Sequence, residues 1–105
     1  MDKYTNKRIE KELKKFIKNV NNKFKLKKVI LFGSHAKGTA SVYSDIDVAI
    51  IFEGVYEEIK LSQIVRKIEQ QLKAKIQVHN FTVKGFSGNN VLVHEIKRDG
   101  IDLTK

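Results

Sequence analysis

The chain has 105 residues, which is enough for one domain with one compact core, and we predict a single domain over residues 1–105. It contains no cysteine, which excludes a disulfide framework and a thiolate metal site. No apolar run approaches the roughly 20 residues that span a bilayer, and the charged N-terminus lacks the apolar segment of a secretory signal. We therefore expect a cytoplasmic protein with no membrane association.

The net charge of +9 is concentrated at the start of the chain. Residues 1–28 contain eleven Lys/Arg and three Asp/Glu, a net charge of +8, whereas residues 29–105 contribute +1. Two interpretations stay open: a field that steers a nucleotide or an acidic partner, and a solvated lysine-rich helix face. Because the basic residues are mostly Lys and no aromatic stacking platform accompanies them, the pattern argues against a nucleic-acid partner.

The apolar pattern predicts the element order α-β-(α)-β-α-β-α. Apolar residues recur at helical spacing in residues 5–20, 55–73 and 89–98, whereas residues 28–32, 45–52 and 75–81 have the continuous or alternating patterns of strands. Residues 34–40 suit a short helix closed near Gly38, and residues 82–88 a loop. Thr5 or Asn6 is expected to cap the first helix, and Gly100 the last. The fold class is α/β (α+β), a small mixed sheet with helices packed on one face, which leaves the other face for a site.

The stretch from Leu31 to Ile51 contains the chemistry. Asp45 and Asp47 are two residues apart in a predicted strand, so both side chains share a face, where a divalent cation such as Mg²⁺ would compensate their charge. Gly33 lets the backbone approach a ligand closely. Ser34 adds a hydroxyl donor, and Lys37 adds a positive charge that suits a phosphate. Together these residues predict a site for a nucleoside triphosphate and its metal.

The spacing of these residues is also a known signature. Gly33-Ser34, ten intervening residues and Asp45-Ile46-Asp47 resemble the motif of nucleotidyltransferases related to the palm of DNA polymerase beta, and the chain resembles a minimal nucleotidyltransferase (MNT) over nearly its whole length. The resemblance implies the polymerase beta-like fold and the transfer of a nucleoside monophosphate from ATP or another NTP to a hydroxyl. It implies Asp45 and Asp47 as catalytic residues that hold a two-metal Mg²⁺ site.

The resemblance further implies which residues bind the nucleotide and which partner receives the nucleotidyl group. Gly33, Ser34 and Lys37 would contact the phosphates. Ser44 is also assigned to nucleotide binding, and the alternative for Ser44 is a structural role in a turn. Many such proteins pair with an all-helical HEPN protein, and in toxin–antitoxin pairs the nucleotidyltransferase is the antitoxin that adenylylates a tyrosine of the HEPN toxin. We expect AMP transfer from ATP to such a partner; a homodimer also stays open.

One position departs from the family pattern. The family usually has a third carboxylate on the next core strand, and the matching residue here is Gln77, with His79 on the same strand face. A Gln oxygen can ligate a cation but supplies no charge. His79 could act as a base, since its ordinary pKa lies near neutrality, but it is a poor ligand for Mg²⁺. A plain polar strand face is the alternative for both residues.

Two alternative functions and three further candidate side chains stay open. A catalytically weak module that binds nucleotide and neutralises a HEPN partner by docking is the second function, motivated by Gln77, and an antibiotic-type nucleotidyltransferase is the third. Glu53 lies on the face of the paired acids by parity and is a substitute acid if the strand geometry allows it. We expect His35 near the phosphates or in a structural role, and His94 in a structural role on the last helix.

Overall fold

The computed structural model describes residues 7–41 and 43–105. In chain order the elements are α1 (Lys7–Lys23), β1 (Leu26–Phe32), α2 (Ser34–Lys37), β2 (Ile46–Phe52), α3 (Glu58–Leu72), β3 (Ile76–Thr82), α4 (Val83–Phe86), α5 (Val91–Asp99) and β4 (Ile101–Asp102). Within this part of the chain, no helix combines the length and the apolar character that crossing a membrane requires.

The strands form one mixed sheet in the order β3-β2-β1-β4. β1 pairs antiparallel with β2 and with β4, whereas β2 and β3 are parallel because α3 carries the chain back between them. The small mixed sheet expected from the sequence is therefore confirmed. β2 is central and is continuously apolar after its first residues, as expected for a strand with two paired neighbours and two covered faces.

The main core lies on one face of the sheet, which we call the back face. The amphipathic helices α1 and α3 cover it, and the side chains of Leu13 and Phe16 are fully buried against Val29 and Val48. Each such side chain contributes about 1.5–3 kcal/mol of stabilisation when it leaves water. The helical spacing of Leu13 and Phe16 is what lets one helix bury both on the same face.

A second, smaller cluster lies on the opposite face, which we call the front face. Phe32 of β1 and Ala49 of β2 pack there against Phe86, Val93 and Ile96 from α4 and α5. The prediction of helices on one face thus describes α1 and α3, and the structure adds that α5 lies on the front face. The apolar part of the front face ends near the beginning of β2, and the polar candidate residues lie beyond it.

Several predicted boundaries need correction. α1 continues to Lys23, three residues past the helical pattern of residues 5–20, and the predicted caps Thr5 and Asn6 lie outside the described residues. Residues 82–88 are not all loop, because the Thr82 side chain accepts a hydrogen bond from Gly85 N at 2.9 Å and starts α4. The sequence did not predict β4, which is only two residues long.

Gly100 follows the last helix as predicted, but not for the predicted reason. Its φ is −72°, so it is not a left-handed helix cap. A Cβ at this position would instead overlap the carbonyl oxygen of Ile96 and the side chain of Ile30. Glycine is required here because the backbone after α5 packs directly onto β1.

Candidate functional site

The site begins at the turn that follows β1. Gly33 has φ 75° and ψ −155°, a backbone conformation that is essentially restricted to glycine. From this turn α2 starts at once, with the backbone N–H groups of Ala36 and Lys37 donating to Gly33 O at 3.1 Å each. Gly38 ends α2 in the left-handed conformation, as the sequence predicted.

Gly33 lies directly against Asp47. A Cβ at position 33 would overlap Asp47 Oδ2 and would lie 3.2 Å from both Asp47 Cβ and Asp47 Cγ. The antiparallel register explains this contact, because Phe32, the residue before Gly33, is the partner of Asp47. The predicted phosphate turn and the predicted metal ligand are therefore brought into contact by the pairing of β1 with β2.

The two acids differ in their surroundings. Asp47 lies within β2 on the front face, and its side chain is 24% exposed, whereas Asp45 precedes the strand and is exposed. Ile46 between them is fully buried, and its N–H donates to Lys75 O at 2.9 Å. The backbone on both sides of Asp47 is thus fixed, while Asp45 stays open to solvent and to a ligand.

Ser44 takes part in a tight turn before the acids. Its hydroxyl oxygen accepts a hydrogen bond from Ser41 N at 2.9 Å, and its own N–H donates to Ser41 O at 3.1 Å. Its carbonyl oxygen lies 3.4 Å from Nε2 of His35, which is buried in α2. The turn interpretation of Ser44 has geometric support, and its nucleotide contact stays a prediction.

Lys37 is paired within the chain. Its Nζ lies 3.9 Å from Oδ2 of Asp99 at the end of α5. The same carboxylate accepts hydrogen bonds from Arg98, and this interaction raises the pKa of the Arg98 guanidinium above its ordinary value. A phosphate contact by Lys37 would therefore replace an ion pair that the free protein already has.

Gln77 and His79 lie on the front face, as the alternation predicted. In the parallel register Gln77 is the partner of Asp47, and His79 is the partner of Ala49. The Gln77 side chain is exposed. Nε2 of His79 lies 3.6 Å from Oδ1 of Asp47, and its ring meets the edge of Phe32 at a centroid distance of 5.0 Å. Two residues of β3 therefore lie beside Asp47: Gln77 through the strand pairing, and His79 through its side chain.

The remaining candidates lie elsewhere. Glu53 follows the far end of β2, six residues or about 20 Å along the strand from Asp47, so it cannot replace the third acid. His94 is exposed on α5 and hydrogen-bonded to Asn89. Among the described residues, no three His, Cys, Asp or Glu side chains form a group that could hold a metal by themselves.

Comparison with known proteins identifies the family. A family model described as a nucleotidyltransferase domain matches residues 13–102. The chain belongs to this family. Two candidate protein adenylyltransferases of Methanocaldococcus jannaschii are 33% and 32% identical to it, and each alignment covers 72% of this chain and 84% of the relative. The membership inferred from the Gly-Ser and Asp-x-Asp motif is confirmed.

Solved structures confirm the fold. A chain of a toxin–antitoxin crystal structure with AMP-PNP superposes with a TM-score of 0.69 at 24% identity, over 90% of this chain and 71% of that one. A chain from the structure of a tri-AMPylated Shewanella oneidensis HEPN toxin with its MNT antitoxin gives a TM-score of 0.61 at 21% identity, over 92% of this chain and 70% of that one. At these identities the similarity establishes the nucleotidyltransferase fold.

Proposed function

We propose that this protein transfers AMP from ATP to a hydroxyl group of a partner protein, and that it acts in the cytoplasm as the antitoxin of a HEPN toxin. The contact between the Gly33 turn and the Asp47 carboxylate is the observation that carries the proposal, because it puts a close backbone approach beside a hard-oxygen ligand. The adenylyltransferase relatives and the toxin–antitoxin structures favour AMP as the group and a protein as the acceptor.

The donor atoms near this turn suit Mg²⁺. Asp45 and Asp47 offer carboxylate oxygens, and such a cation usually takes one or two carboxylates together with substrate phosphates. Asp45 and Asp47 would hold two ions of this kind. When bound, they neutralise charge on the triphosphate and make the acceptor hydroxyl easier to deprotonate.

The chain itself supplies position and charge. At Gly33 the backbone can approach a phosphate closely, Ser34 can donate its hydroxyl, and Lys37 can exchange Asp99 for a phosphate oxygen. In the transfer, the acceptor oxygen forms a bond to the α-phosphorus while the bond from that phosphorus to the bridging oxygen breaks in line, and pyrophosphate leaves. The work of the protein is orientation and electrostatic stabilisation.

A second function has a specific observation behind it. Gln77 is the registered partner of Asp47, so the strand position of the family's third carboxylate carries no charge here. A protein that has lost this acid can keep the fold and the nucleotide site and still neutralise a HEPN partner by docking. Transfer and docking predict different results in one experiment.

That experiment follows labelled AMP. The wild-type protein is incubated with α-labelled ATP, Mg²⁺ or Mn²⁺, and the protein encoded by the neighbouring gene. We expect label on the partner, and a loss of about 100-fold or more in Asp45→Ala and Asp47→Ala because several kcal/mol of charge stabilisation disappear. Glu53→Ala is the matched control, since it removes an exposed acid from the far end of the same strand.

The outcomes separate the two functions. Label transfer that is lost in both aspartate variants and retained in Glu53→Ala supports the transferase. No label with either metal, while the partner still binds the protein, assigns the docking function. Transfer that survives in both aspartate variants contradicts the proposed site.

A further inference from the structure

The edge strand β3 is open on the side that faces away from β2. In the strand order β3-β2-β1-β4, no other strand of the described residues pairs with this side. We propose that it pairs in antiparallel orientation with β3 of a second copy of the chain, which makes the protein a homodimer with one continuous sheet. This inference goes beyond the proposed AMP transfer and does not depend on it.

β3 lacks the features that keep edge strands from pairing with other chains. Such features are a short strand, lysine or proline residues, and bulges. β3 has seven residues, Ile76–Thr82, contains no Lys, Arg, Asp, Glu or Pro, and pairs with β2 residue by residue along its whole length. The strand at the other edge, β4, is only two residues long. The edge at β3 is therefore the one suited to pairing.

Backbone groups of β3 point toward this open side. Lys75 O faces β2, where it accepts a hydrogen bond from the first residue of that strand at 2.9 Å. Because successive peptide groups alternate, Ile76 N faces the open side, and it donates to Glu69 Oε2 at 2.8 Å. By the same alternation, the N–H and C=O groups of Val78 and Asn80 face outward. An added antiparallel strand can exchange hydrogen bonds with both of these residues.

A symmetric register uses both outward-facing residues. In this register Val78 of each copy pairs with Asn80 of the other, and His79 lies at the two-fold axis. Such an arrangement is the isologous interface of a closed dimer, in which one surface patch is complementary to itself. The two front faces then join across the axis into one surface.

A groove beside the edge gives the second copy a place on the back face. It has a volume of about 260 Å³ and lies between α3 and β3. Its lining includes Leu61, Ser62, Val65, Ile76, Val78 and Asn80. Paired strands lie ~4.8 Å apart and packed helices about 8–10 Å apart, so strand pairing brings the two copies of α3 side by side. Each α3 then covers the groove of the other copy.

The position of the two-fold axis on α3 follows from the contact between Glu69 and Ile76. α3 runs antiparallel to β3, because Glu69 near its end reaches the first residue of the strand. A helix rises about 1.5 Å per residue and a strand about 3.3 Å, so His79 on β3 lies beside Ser62 on α3. Ser62 is exposed and small, which permits close approach of two helices at the axis.

The charges of α3 fit an antiparallel copy of the same helix. Glu58 and Arg66 lie four residues to either side of Ser62, and both are exposed. Neither forms an ion pair within the part of the chain that the structure describes. Across the axis Glu58 of each copy faces Arg66 of the other, so the contact occurs twice. This self-complementarity favours a second copy over an unrelated extended segment as the occupant of the edge.

Sedimentation equilibrium of the full chain measures the dissociation constant of the dimer. Glu58→Arg and Arg66→Glu should each raise this constant by about tenfold, because each change puts like charges opposite one another at two symmetric contacts. The double variant Glu58→Arg/Arg66→Glu should restore the wild-type value. Lys11→Glu is the matched control, because it reverses a charge in the same sense at an exposed position of α1.

Asn80→Pro tests the strand pairing itself. Proline removes the outward N–H at position 80 but leaves the hydrogen bonds between β3 and β2 in place, so an open edge tolerates it. We expect a monomer whose circular-dichroism spectrum matches that of the wild type.

Each result has a defined meaning. Weaker dimers in both single reversals, recovery in the double variant and a folded monomeric Asn80→Pro support the proposal. A wild-type protein that stays monomeric at high concentration, or a dimer that persists in folded Asn80→Pro, overturns it. If Asn80→Pro does not fold, a double variant that fails to recover overturns it. A monomeric wild type whose binding to the neighbouring-gene protein is lost in Asn80→Pro overturns the homodimer and assigns the edge to that partner.

Discussion

The Asp47 carboxylate lies against two other parts of the fold, the turn at Gly33 and the strand β3. Oδ2 lies against the Gly33 turn, and Oδ1 faces His79 across the β2–β3 pairing. The side chain is partly buried, so its charge acts in a medium of lower dielectric than water, where a cation or a phosphate-bound metal is attracted more strongly. The proposed chemistry of the site is therefore centred on Asp47, and Asp45 is its exposed neighbour.

Replacement of Gly33 by alanine should damage the site and the fold together. In Gly33→Ala the backbone strain of about 1–3 kcal/mol at this φ and ψ adds to an overlap with Asp47 Oδ2. We expect a lower urea midpoint and at least about tenfold less AMP transfer, since a displacement of 1 Å can cost more than that. Gly54→Ala is the control, because its nearest neighbour would be Lys25 Cβ at 3.8 Å. Equal stability of the two variants would contradict this account of the turn.

Gln77→Asp tests whether the missing acid limits the rate. The new carboxylate would stand in register with Asp47 on the front face, where it can add charge for Mg²⁺ and accept a proton. We expect Mg²⁺-dependent transfer to rise, by about tenfold or more if the proton transfer is limiting. Initial rates at saturating ATP measure this. Gln77→Asn, which keeps the amide, should leave the rate low, and no gain in Gln77→Asp would place the limiting step elsewhere.

At the scale of elements, β2 organises the site because it pairs on both sides. Its antiparallel partner β1 ends at the Gly33 turn, and its parallel partner β3 contains Gln77 and His79. The helix α5 completes the front face by burying Val93 and Ile96, and its last residue Asp99 holds Lys37. The helix α5 therefore contributes to the apolar cluster of the front face and, through Asp99, holds Lys37, the predicted phosphate contact.

The cap of α5 should contribute measurably to this arrangement. Asn90 Oδ1 accepts a hydrogen bond from Val93 N at 2.9 Å. Asn90→Ala should lower the free energy of unfolding by about 1 kcal/mol, because the first turn of the helix loses a partner, whereas Asn90→Asp should retain most of it. Urea denaturation followed by circular dichroism measures both. Equal losses in the two variants would show that the side-chain cap is not the stabilising contact.

At the scale of the whole molecule, the sheet separates the site from most of the charge. The lysine-rich helix α1 packs on the back face through Ile9, Leu13, Phe16 and Val20. The paired acids, Gln77 and His79 are on the front face or at its edge. The positive charge of α1 thus lies behind the sheet, which favours the solvated-helix interpretation over a direct phosphate contact by the lysines of this helix.

Local sequence patterns were sufficient to predict much of the fold and the placement of several candidate site residues. The helical recurrence of Leu13 and Phe16 predicted which side of α1 is buried, and strand alternation predicted that Gln77 and His79 share a face. Gly33 and Gly38 were placed correctly at the two ends of α2. The apolar pattern of α3 wrongly predicts that Ile59 is buried, because this residue is 75% exposed in the first turn of the helix. Periodicity identifies a face, but it cannot show where the neighbouring core ends.

The sequence by itself determined the family and most of the helices and strands, and it supplied the candidate residues of the site, because motif spacing and periodicity are local properties of the chain. Only the tertiary structure decided that Asp47 touches Gly33, that Lys37 is held by Asp99, and that His79 approaches the acids beside Gln77. Those contacts depend on strand register and helix packing between segments far apart in the chain. Register is fixed by the whole core at once, so no local stretch specifies it.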